Sequence, residues 1–263
     1  MEKLRLDKYL CACGMFEIRE KAKMAIESGV IFVDGKKADK PSLTVDENAK
    51  VEIRGETLRY VSRGGLKLEK AIDVFGVVLE GAVAADIGSS TGGFTDCMLQ
   101  NGAMHVYSID VGRNQLAEKL RRDSRVTVME NTDIRSVRPE MLEPQPNFVS
   151  VDVSFISLSL VLPTVFALLA EDGTAVVLVK PQFEAGKGRV GKNGVVRDPR
   201  VHEAVLRTFV SAAEGVGFAV KALDFSPIRG PEGNIEYIAL LDKTGVSTQV
   251  DINRVVRASH DSL

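Results

Sequence analysis

The fold of this chain is decided by one stretch, Ala84-Ala85-Asp86-Ile87-Gly88-Ser89-Ser90-Thr91-Gly92-Gly93-Phe94-Thr95-Asp96. The apolar run from Ala82 to Ile87 predicts a buried strand. The glycines after it permit positive φ and a close approach of ligand to backbone, and the following helix points free N–H groups there. A second apolar strand ends in Asp110, about twenty residues on, where an acid suits a ribose hydroxyl. The stretch therefore predicts a site for a nucleoside-containing ligand.

The glycine spacing narrows the kind of ligand. It is G-x-x-x-G-G rather than the G-x-G-x-x-G of dinucleotide sites, and the chain has no G-x-x-x-x-G-K-[ST] phosphate loop. Asp86, just before the glycines, favours a cationic ligand and repels a pyrophosphate. S-adenosylmethionine carries a sulfonium, an ammonium and a ribose, and it fits this charge pattern. The alternative is a purely structural glycine turn in another α/β domain.

Length and composition set the general class. The 263 residues allow one sizeable domain and a small one, and the net charge of -2 means that nucleic acid would have to meet local basic patches. No apolar run reaches the ~18 residues of a membrane helix, and the first residues lack the core of a signal peptide. Three cysteines and three scattered histidines indicate neither a disulfide framework nor a metal site. We expect a cytoplasmic protein without a membrane segment.

Residues 1–59 form a separate module, with two short amphipathic helices ended by Gly14 and Gly29 and a strand turned by Asp34-Gly35. Its cations are candidates for contacting a phosphate backbone, although an ordinary solvated face is the alternative. They are Arg5, Lys8, Arg19, Lys21, Lys23, Lys36 and Lys37, with Arg63 in the linker. The order of Arg5-Leu6-Asp7, Arg19-Glu20-Lys21-Ala22 and the run from Ile26 to Gly35 resembles the small RNA-binding module first described in a ribosomal small-subunit protein and in pseudouridine synthases. Ile18 stands where those domains usually have Ser.

Strands and helices alternate from residue 82 onward, which predicts a parallel sheet with helices on both faces. The predicted strands are 82–87, 104–109, 126–129, 147–152, 174–180, 219–225 and 235–241, and the predicted helices lie near 92–101, 114–122, 158–169 and 199–215. No helix separates the last two strands, so they should pair antiparallel. The pattern resembles the Rossmann-like sheet of S-adenosylmethionine-dependent methyltransferases, which has six parallel strands and an antiparallel seventh. We divide the chain into the RNA-binding module (1–59), a linker (60–65), the methyltransferase domain (66–245) and a C-terminal tail (246–263).

Charged residues stand at the predicted carboxyl ends of the strands, where sites of such sheets lie. Asp152 ends the fourth strand, Lys180 closes the apolar fifth, Glu236 lies on the seventh, and Lys67 is in the first turn of an earlier helix. Each alone could be a surface or salt-bridged residue. Together, two lysines and two acids suit activation of a ribose 2′-hydroxyl, provided that a lysine is neutral enough to act as base. The Asn-Pro-Pro-aromatic motif typical of base amino-group methylation is absent after the fourth strand.

Five separated segments resemble the TlyA (hemolysin A) family, whose methyltransferase domain belongs with the FtsJ-type 2′-O-methyltransferases. They are 61–68, Asp86 to Thr95, Asp152 to Leu158, Leu178 to Gly188, and Gly230 to Tyr237. The resemblance implies a catalytic tetrad of Lys67, Asp152, Lys180 and Glu236. It also implies an S-adenosylmethionine site made by Asp86, Gly88, Ser89, Ser90, Thr91, Gly92, Gly93 and Phe94, with Asp110 on the ribose and Asp133 facing the adenine. Some members have Trp where this chain has Tyr60.

The resemblance implies 2′-O-methylation of cytidine in ribosomal RNA of the small subunit, the large subunit or both. We expect ribosomal RNA or ribosomal subunits as partners, no membrane, and a monomer or weak dimer. The glycine- and cation-rich loop from Pro181 to Arg197 is either a lid that orders on RNA or an ordinary solvated loop. The alternative functions are an rRNA-binding assembly factor without catalysis and a membrane-active hemolysin.

Overall fold

The computed structural model describes residues 3–16, 19–27, 29–46, 48–54, 59–186 and 188–263. The chain forms two compact units, Met1–Arg63 and Gly64–Leu263. Ile18, the departure from the RNA-binding module, lies outside the described residues.

The first unit is a small α/β module. Its elements in chain order are β1 (Leu4–Arg5), α1 (Leu6–Ala12), α2 (Arg19–Glu27), β2 (Ile31–Val33), β3 (Lys36–Lys37), β4 (Thr44–Val45) and β5 (Val51–Ile53). β2 lies between β3 and β5 in an antiparallel sheet, and β1 pairs with β4. Leu6, Leu10, Ile26 and Ile31 are fully buried and give the unit a core of its own. The two predicted helices and the predicted strand before Asp34-Gly35 are confirmed.

The second unit is a larger α/β domain. It contains α3 (Gly65–Phe75), β6 (Val83–Ile87), α4 (Gly93–Gln100), β7 (His105–Ile109), α5 (Glu118–Arg121), β8 (Val126–Met129), β9 (Phe148–Val151), α6 (Leu162–Leu168), β10 (Thr174–Val179), α7 (Pro181–Glu184), α8 (Pro199–Val216), β11 (Ala219–Phe225), β12 (Tyr237–Asp242) and α9 (Ile252–Ser262). Each predicted strand is present, with ends that differ from the prediction by no more than two residues.

The seven strands form one sheet in the order β11-β12-β10-β9-β6-β7-β8. β9, β6, β7 and β8 pair in parallel, as do β9 and β10, whereas β12 is antiparallel to both of its neighbours. The predicted antiparallel seventh strand, inserted between the fifth and sixth, is therefore confirmed. The sheet is of the Rossmann-like methyltransferase type.

Helices cover the two faces of this sheet. Ala85 and Ile87 of β6 belong to a core cluster with residues of α6, α8 and α9. Because side chains alternate along a strand, the intervening Asp86 faces the other way, where its carboxylate meets Thr95 of α4. Among the described residues, no helix combines the length and apolar character needed to cross a membrane.

Two of the predicted helices are wrong in extent. Of 114–122, only Glu118–Arg121 is helical, because Asn114 has φ 54° and the backbone N–H groups of Gln115 and Leu116 donate to the Glu130 carboxylate. Residues 158–169 divide into a 3-10 turn (Leu158–Leu160) and α6. In the first case a positive backbone angle and a side chain distant in sequence decide where the helix starts.

A C-terminal helix lies where the sequence analysis assigned only a tail. α9 begins after Asp251, whose side chain accepts a hydrogen bond from the Arg254 N–H. Ile252 and Val256 are buried against the core, and the helix contacts α8 and β11. Residues 252–262 are thus an integral part of the larger unit.

Candidate active site

The site lies where the order of successive strands along the sheet reverses. β6 has β7 on one side and β9 on the other, so the loops after β6 and β9 diverge and leave a crevice at the carboxyl ends of the strands. The turn Gly88–Gly93 follows β6, Asp110 follows β7, and Asp152 follows β9. The topology therefore brings the predicted cofactor turn and part of the predicted tetrad to one edge.

Two glycines in the turn are required by close packing. Gly88 has φ 83°, and a Cβ there would lie 2.5 Å from the Asp152 carbonyl oxygen. Gly92 has φ 92°, and a Cβ there would lie 2.3 Å from Leu120 Cδ1. At both positions another residue would combine an unfavourable backbone angle with a clash. The turn is consequently held close to the loop after β9 and to α5.

Asp86 lies beneath this turn and is fully buried. Its Oδ2 accepts hydrogen bonds from the Thr95 N–H at 2.9 Å and the Thr95 hydroxyl at 2.6 Å, and its Oδ1 accepts one from Ser150 at 3.0 Å. Burial is the main reason that the pKa of Asp86 rises to about 6. The carboxylate ties the end of β6 to α4 and β9, so it organises the turn from below. A direct contact with the cofactor stays a prediction.

Asp110, at the end of β7, faces the turn. Its Oδ2 accepts a hydrogen bond from the Ser90 N–H at 2.8 Å and its Oδ1 accepts one from the Gly112 N–H at 2.6 Å. A carboxylate oxygen has two acceptor positions, so each oxygen keeps one for a ribose hydroxyl. Acids around a glycine-lined crevice suit a sulfonium and a ribose and disfavour a pyrophosphate. The residues present therefore fit S-adenosylmethionine.

The other predicted cofactor residues lie around this crevice with differing exposure. Ser89, Gly93 and Phe94 are buried, whereas Ser90 and Thr91 are exposed. Asp133 caps a 3-10 turn and accepts hydrogen bonds from the Arg135 guanidinium, which lower its pKa to about 2. Its side chain is thus already occupied by Arg135, and a contact with adenine stays a prediction.

The four predicted tetrad residues form a row of alternating charge. Lys67 Nζ lies 2.5 Å from Glu236 Oε2 and 3.9 Å from Asp152 Oδ2. Lys180 Nζ lies 2.5 Å from Asp152 Oδ1. Lys67, Lys180 and Glu236 are buried, with exposed fractions of 7%, 8% and 1%. Buried charges persist only when they are paired, and here Asp152 is shared by both ammonium groups.

Four different elements supply this row. Lys67 is in the first turn of α3, Asp152 follows β9, Lys180 follows β10, and Glu236 precedes β12. The position of Lys67 off the apolar stripe of α3 is explained, because the side chain points to Glu236 and not to solvent. The antiparallel pairing of β10 with β12 places Val179 opposite Tyr237, so Lys180 and Glu236 emerge at the same end of the sheet.

Three neighbouring residues that the sequence analysis did not single out complete the surroundings of the row. Ser154 accepts a hydrogen bond from Lys180 Nζ at 3.0 Å, and Gln182 Nε2 lies 3.5 Å from Glu236 Oε1. A Cβ at Gly230 would lie 2.5 Å from Glu236 Oε1, so this glycine leaves room for the carboxylate. All three lie in segments that carried the family resemblance, but nothing in their residue types alone indicates these roles.

The loop from Pro181 to Arg197 is held at both ends. Its first residues form α7, and near its other end the buried Asn234 accepts a hydrogen bond from the Val196 N–H and donates one to the Gly194 carbonyl. Val195 and Val196 are also buried. A lid movement of residues 194–196 would have to break these contacts.

An exposed aromatic residue lies beside the tetrad. Phe155 has 91% of its surface exposed and adopts φ 64°, a left-handed conformation that is uncommon for a bulky residue. Its ring centroid lies 5.0 Å from that of Phe183, which follows Lys180 by three residues. The signal that could have found it is an aromatic residue three positions after Asp152, in the loop at the carboxyl end of β9.

In the first unit, two of the predicted RNA-binding cations share one buried acid. Asp7 is fully buried, and its Oδ2 lies 3.1 Å from Arg5 and 2.7 Å from Arg19. The hydrogen bond from Arg5 and the pairing with Arg19 hold the pKa of Asp7 well below its usual range. Lys8, Lys21, Lys36, Lys37 and Arg63 are exposed, and Lys23 is half-buried. The contacts of these residues with RNA stay a prediction.

The sheet order, the glycine crevice and the acids around it define an S-adenosylmethionine-dependent methyltransferase. Residues 60–243 match the family model described as FtsJ-like methyltransferase, and residues 4–51 match the S4 domain. The chain therefore belongs to the TlyA (hemolysin A) family of FtsJ-like methyltransferases with an N-terminal S4 domain.

Three relatives illustrate the similarity. A Bacillus subtilis protein provisionally named rRNA methyltransferase YqxC is 48% identical over 100% of this chain and 96% of its own length. The 16S/23S rRNA (cytidine-2′-O)-methyltransferase TlyA of Mycobacterium tuberculosis is 40% identical over 90% of this chain and 89% of its own. A solved Streptococcus thermophilus structure, described provisionally as a hemolysin, is 49% identical with a TM-score of 0.79, covering 100% of this chain and 97% of that one.

Proposed function

We propose that this protein transfers a methyl group from S-adenosylmethionine to the 2′-hydroxyl of a cytidine in ribosomal RNA. The observation that carries the proposal is the row Glu236–Lys67–Asp152–Lys180 beside the glycine crevice, in which Glu236 and both lysines are buried. The Mycobacterium tuberculosis relative is named for this reaction on 16S and 23S RNA. The tetrad roles assigned below are part of the proposal.

The row suits a weakly acidic hydroxyl nucleophile. S-adenosylmethionine supplies an electrophilic methyl carbon on its sulfonium sulfur when it is bound. One lysine amine of the row, in its neutral form, would take the hydroxyl proton. The oxygen would then receive the methyl group as the bond between that carbon and the sulfonium sulfur breaks, which leaves S-adenosylhomocysteine. Asp152 holds both amines toward one point, and Glu236 fixes Lys67 from the other side. Alignment of oxygen, carbon and sulfur provides the remaining acceleration.

The exposed aromatic pair gives the substrate a second contact. A ribose can reach the buried row only when its nucleotide leaves the stacked RNA, and enzymes commonly receive such a base on an aromatic side chain. Phe155 offers an open ring next to Asp152, backed by Phe183. We assign Phe155 as the stacking surface for the target base.

The S4 unit provides the proposed attachment to RNA. Asp7 orients the side chains of Arg5 and Arg19. Their two guanidinium groups can donate hydrogen bonds to phosphate oxygens. Because the proposed substrate is ribosomal RNA, we also propose a cytoplasmic location. We further propose that the catalytic domain spans residues 66–245, extended by α9, and that the chain acts as a monomer or weak dimer.

The test is transfer of a labelled methyl group to purified small subunits, large subunits and naked ribosomal RNA, followed by digestion to nucleosides. We expect the label in 2′-O-methylcytidine from at least one of these substrates. Label in a base-methylated nucleoside, or no label above the level of a reaction without enzyme, would contradict the proposal. Comparison of the three substrates identifies the subunit and shows whether assembly is needed.

A further inference from the structure

A carboxylate that the proposed reaction does not use fastens the loop after β9 to the helix after β10. Glu184 is the last residue of α7. Its Oε1 accepts a hydrogen bond from the Leu158 N–H at 2.7 Å, and its Oε2 accepts one from the Ser157 hydroxyl at 2.8 Å. Both oxygens thus receive neutral donors from one short segment. Hydrogen bonds to an ionised group are stronger than those between neutral groups.

The same two segments are joined at a second place, on the other side of Phe155 in sequence. Lys180, which follows β10, contacts Asp152 and Ser154, before Phe155. Glu184 holds Ser157 and Leu158, after Phe155, and Phe183 contacts Phe155 itself. Phe155 therefore lies in sequence between two points at which the loop after β9 is held.

Phe155 needs such support because its conformation is unfavourable. A left-handed φ in a bulky residue persists only when the surrounding structure imposes it. With 91% of its surface exposed, the Phe155 side chain has little packing of its own to hold it. The segment that follows it is anchored by the two bonds to Glu184. Removing them would allow the loop to relax to an ordinary backbone conformation and carry the ring away.

We propose that Glu184 is a positioning residue that presents Phe155 to the target nucleobase. The inference rests on the proposed function, because Phe155 matters only if a base stacks there. It assigns to Glu184 an effect on RNA recognition and no effect on the cofactor, since both of its contacts lie in the loop after β9. Glu184 acts through Phe155 and does not touch the reacting atoms.

The first measurement reports the position of Phe155 without requiring catalysis. The chain has no tryptophan, so Phe155→Trp introduces a single tryptophan, whose emission can be excited selectively over that of the four tyrosines. We expect the fluorescence anisotropy of Trp at 155 to fall when Glu184→Ala is added and to be kept by Glu184→Gln. The amide of Gln can accept from the Leu158 N–H and donate to the Ser157 oxygen. Unchanged anisotropy with Glu184→Ala would overturn the inference.

The second measurement is a kinetic double-mutant cycle on the RNA substrate. Glu184→Ala should raise the KM for RNA about tenfold and leave the dissociation constant of S-adenosylmethionine within about twofold. Ser157→Ala, which removes one of the two bonds to Glu184 together with the cap of the following 3-10 turn, should raise the KM in the same direction. Phe155→Ala/Glu184→Ala should be no worse than Phe155→Ala, because residues that act through one another are not additive. Glu140→Ala, at an exposed acid elsewhere in the unit, is the matched control.

The outcomes separate failure of this inference from failure of the proposed function. If the wild-type enzyme transfers no methyl group to RNA, the proposed function is wrong and the inference falls with it. If the wild-type enzyme and Phe155→Ala transfer methyl groups equally well, the role of Phe155 is wrong, and the inference falls while the proposed methyl transfer stands. If Phe155→Ala is defective but Glu184→Ala matches the wild type, only the inference is overturned. Additive effects in the double mutant, or an equal loss of cofactor binding in Glu184→Ala, would also overturn it.

Discussion

Two regions of the crevice use carboxylates in opposite ways. In the tetrad, Asp152 and Glu236 face lysine amines. In the glycine turn, Asp86 and Asp110 face backbone N–H groups and hydroxyls. A carboxylate that accepts hydrogen bonds from backbone groups fixes the path of the chain. A carboxylate that lies between two lysine amines fixes the positions of both amines and compensates their charge. Both regions contain acids at strand ends, yet the first is suited to chemistry and the second mainly to architecture.

The difference between the two regions is tested most directly by a substitution at Asp152. Asp152→Asn keeps the shape of the side chain but removes the charge between Lys67 and Lys180. We expect methyl transfer to slow by about 10²-fold or more, because both amines lose their common partner. The measurement is the single-turnover rate constant with saturating cofactor and RNA. A rate within threefold of the wild type would show that the shared carboxylate is not needed.

A milder change in the same region is Gly230→Ala. The added Cβ would lie 2.5 Å from Glu236 Oε1, so the carboxylate has to move away from its present position against Lys67. The atom that yields is the end of a flexible side chain, so we expect the melting temperature to change little and the rate to fall about tenfold. Thermal unfolding and kcat are measured on the same preparation. Loss of folding together with rate would contradict the interpretation.

Replacement of an aspartate by asparagine should have a different effect beneath the glycine turn, at Asp86. With a pKa of about 6 when folded, against 3.8 when unfolded, Asp86 binds its proton more tightly in the native state. The protein therefore loses about 3 kcal/mol of stability through this group as pH rises from below 4 to above 6. We expect Asp86→Asn, whose amide can bond Thr95 and Ser150, to remove this loss and to change the rate by only a few fold.

Urea unfolding at pH 4 and pH 7 tests this prediction. The stability difference between Asp86→Asn and the wild type should shift in favour of the variant as pH rises. A constant difference across this range would mean that Asp86 is not the titrating group. A rate loss as large as that of Asp152→Asn would remove the distinction between the two regions.

The smallest expected effect is at Glu130, which supports the turn from a distance. Its carboxylate accepts from the backbone of residues 114–116 and from Arg121, and these bonds, that of Asn114 foremost, lower its pKa to about 2. The next residue, Ala117, donates its N–H to Thr91 in the turn. Glu130→Gln should weaken cofactor binding about threefold at neutral pH.

Titration calorimetry with S-adenosylmethionine checks the effect of Glu130 on cofactor binding.

The stability of the folded protein in acid gives a second check. Because the folded pKa of Glu130 is depressed, the stability that Glu130 contributes is present above its unfolded pKa of about 4.3 and is lost as pH falls toward 2. The wild type should therefore lose more stability than Glu130→Gln over that interval. Equal acid sensitivity of the two proteins would contradict the assignment.

The pattern of apolar residues predicted much of the fold because each strand of the sheet coincides with an apolar run. The apolar runs gave the strands, and the lack of a helix between Phe225 and Tyr237 gave the antiparallel seventh. The helix at 114–122 was wrong because Glu130, which is distant in sequence, captures N–H groups that a helix would use. α9 was missed although its signal was present, in the cap at Asp251 and the apolar spacing of Ile252 and Val256.

The candidate site was predicted through residue types at strand ends, and the structure brings the four tetrad residues together. The sequence did not indicate which group each of these side chains contacts. Asp86, Asp110 and Asp152 are all aspartates at the carboxyl end of a predicted strand. Only the fold shows that Asp86 and Asp110 accept hydrogen bonds from backbone groups. Glycine at 230 and phenylalanine at 155 depend on contacts and backbone angles that no local pattern encodes.

The proposed methyl transfer depends most on the amines of Lys67 and Lys180. The direct measurement is the single-turnover formation of 2′-O-methylcytidine by Lys67→Met and Lys180→Met, with Lys221→Met as the matched control. Lys221 pairs with Asp242 at the opposite end of β12. We predict that each tetrad variant loses about 10²- to 10⁴-fold in rate while binding S-adenosylmethionine normally, and that Lys221→Met resembles the wild type. Wild-type rates in both tetrad variants would contradict the account.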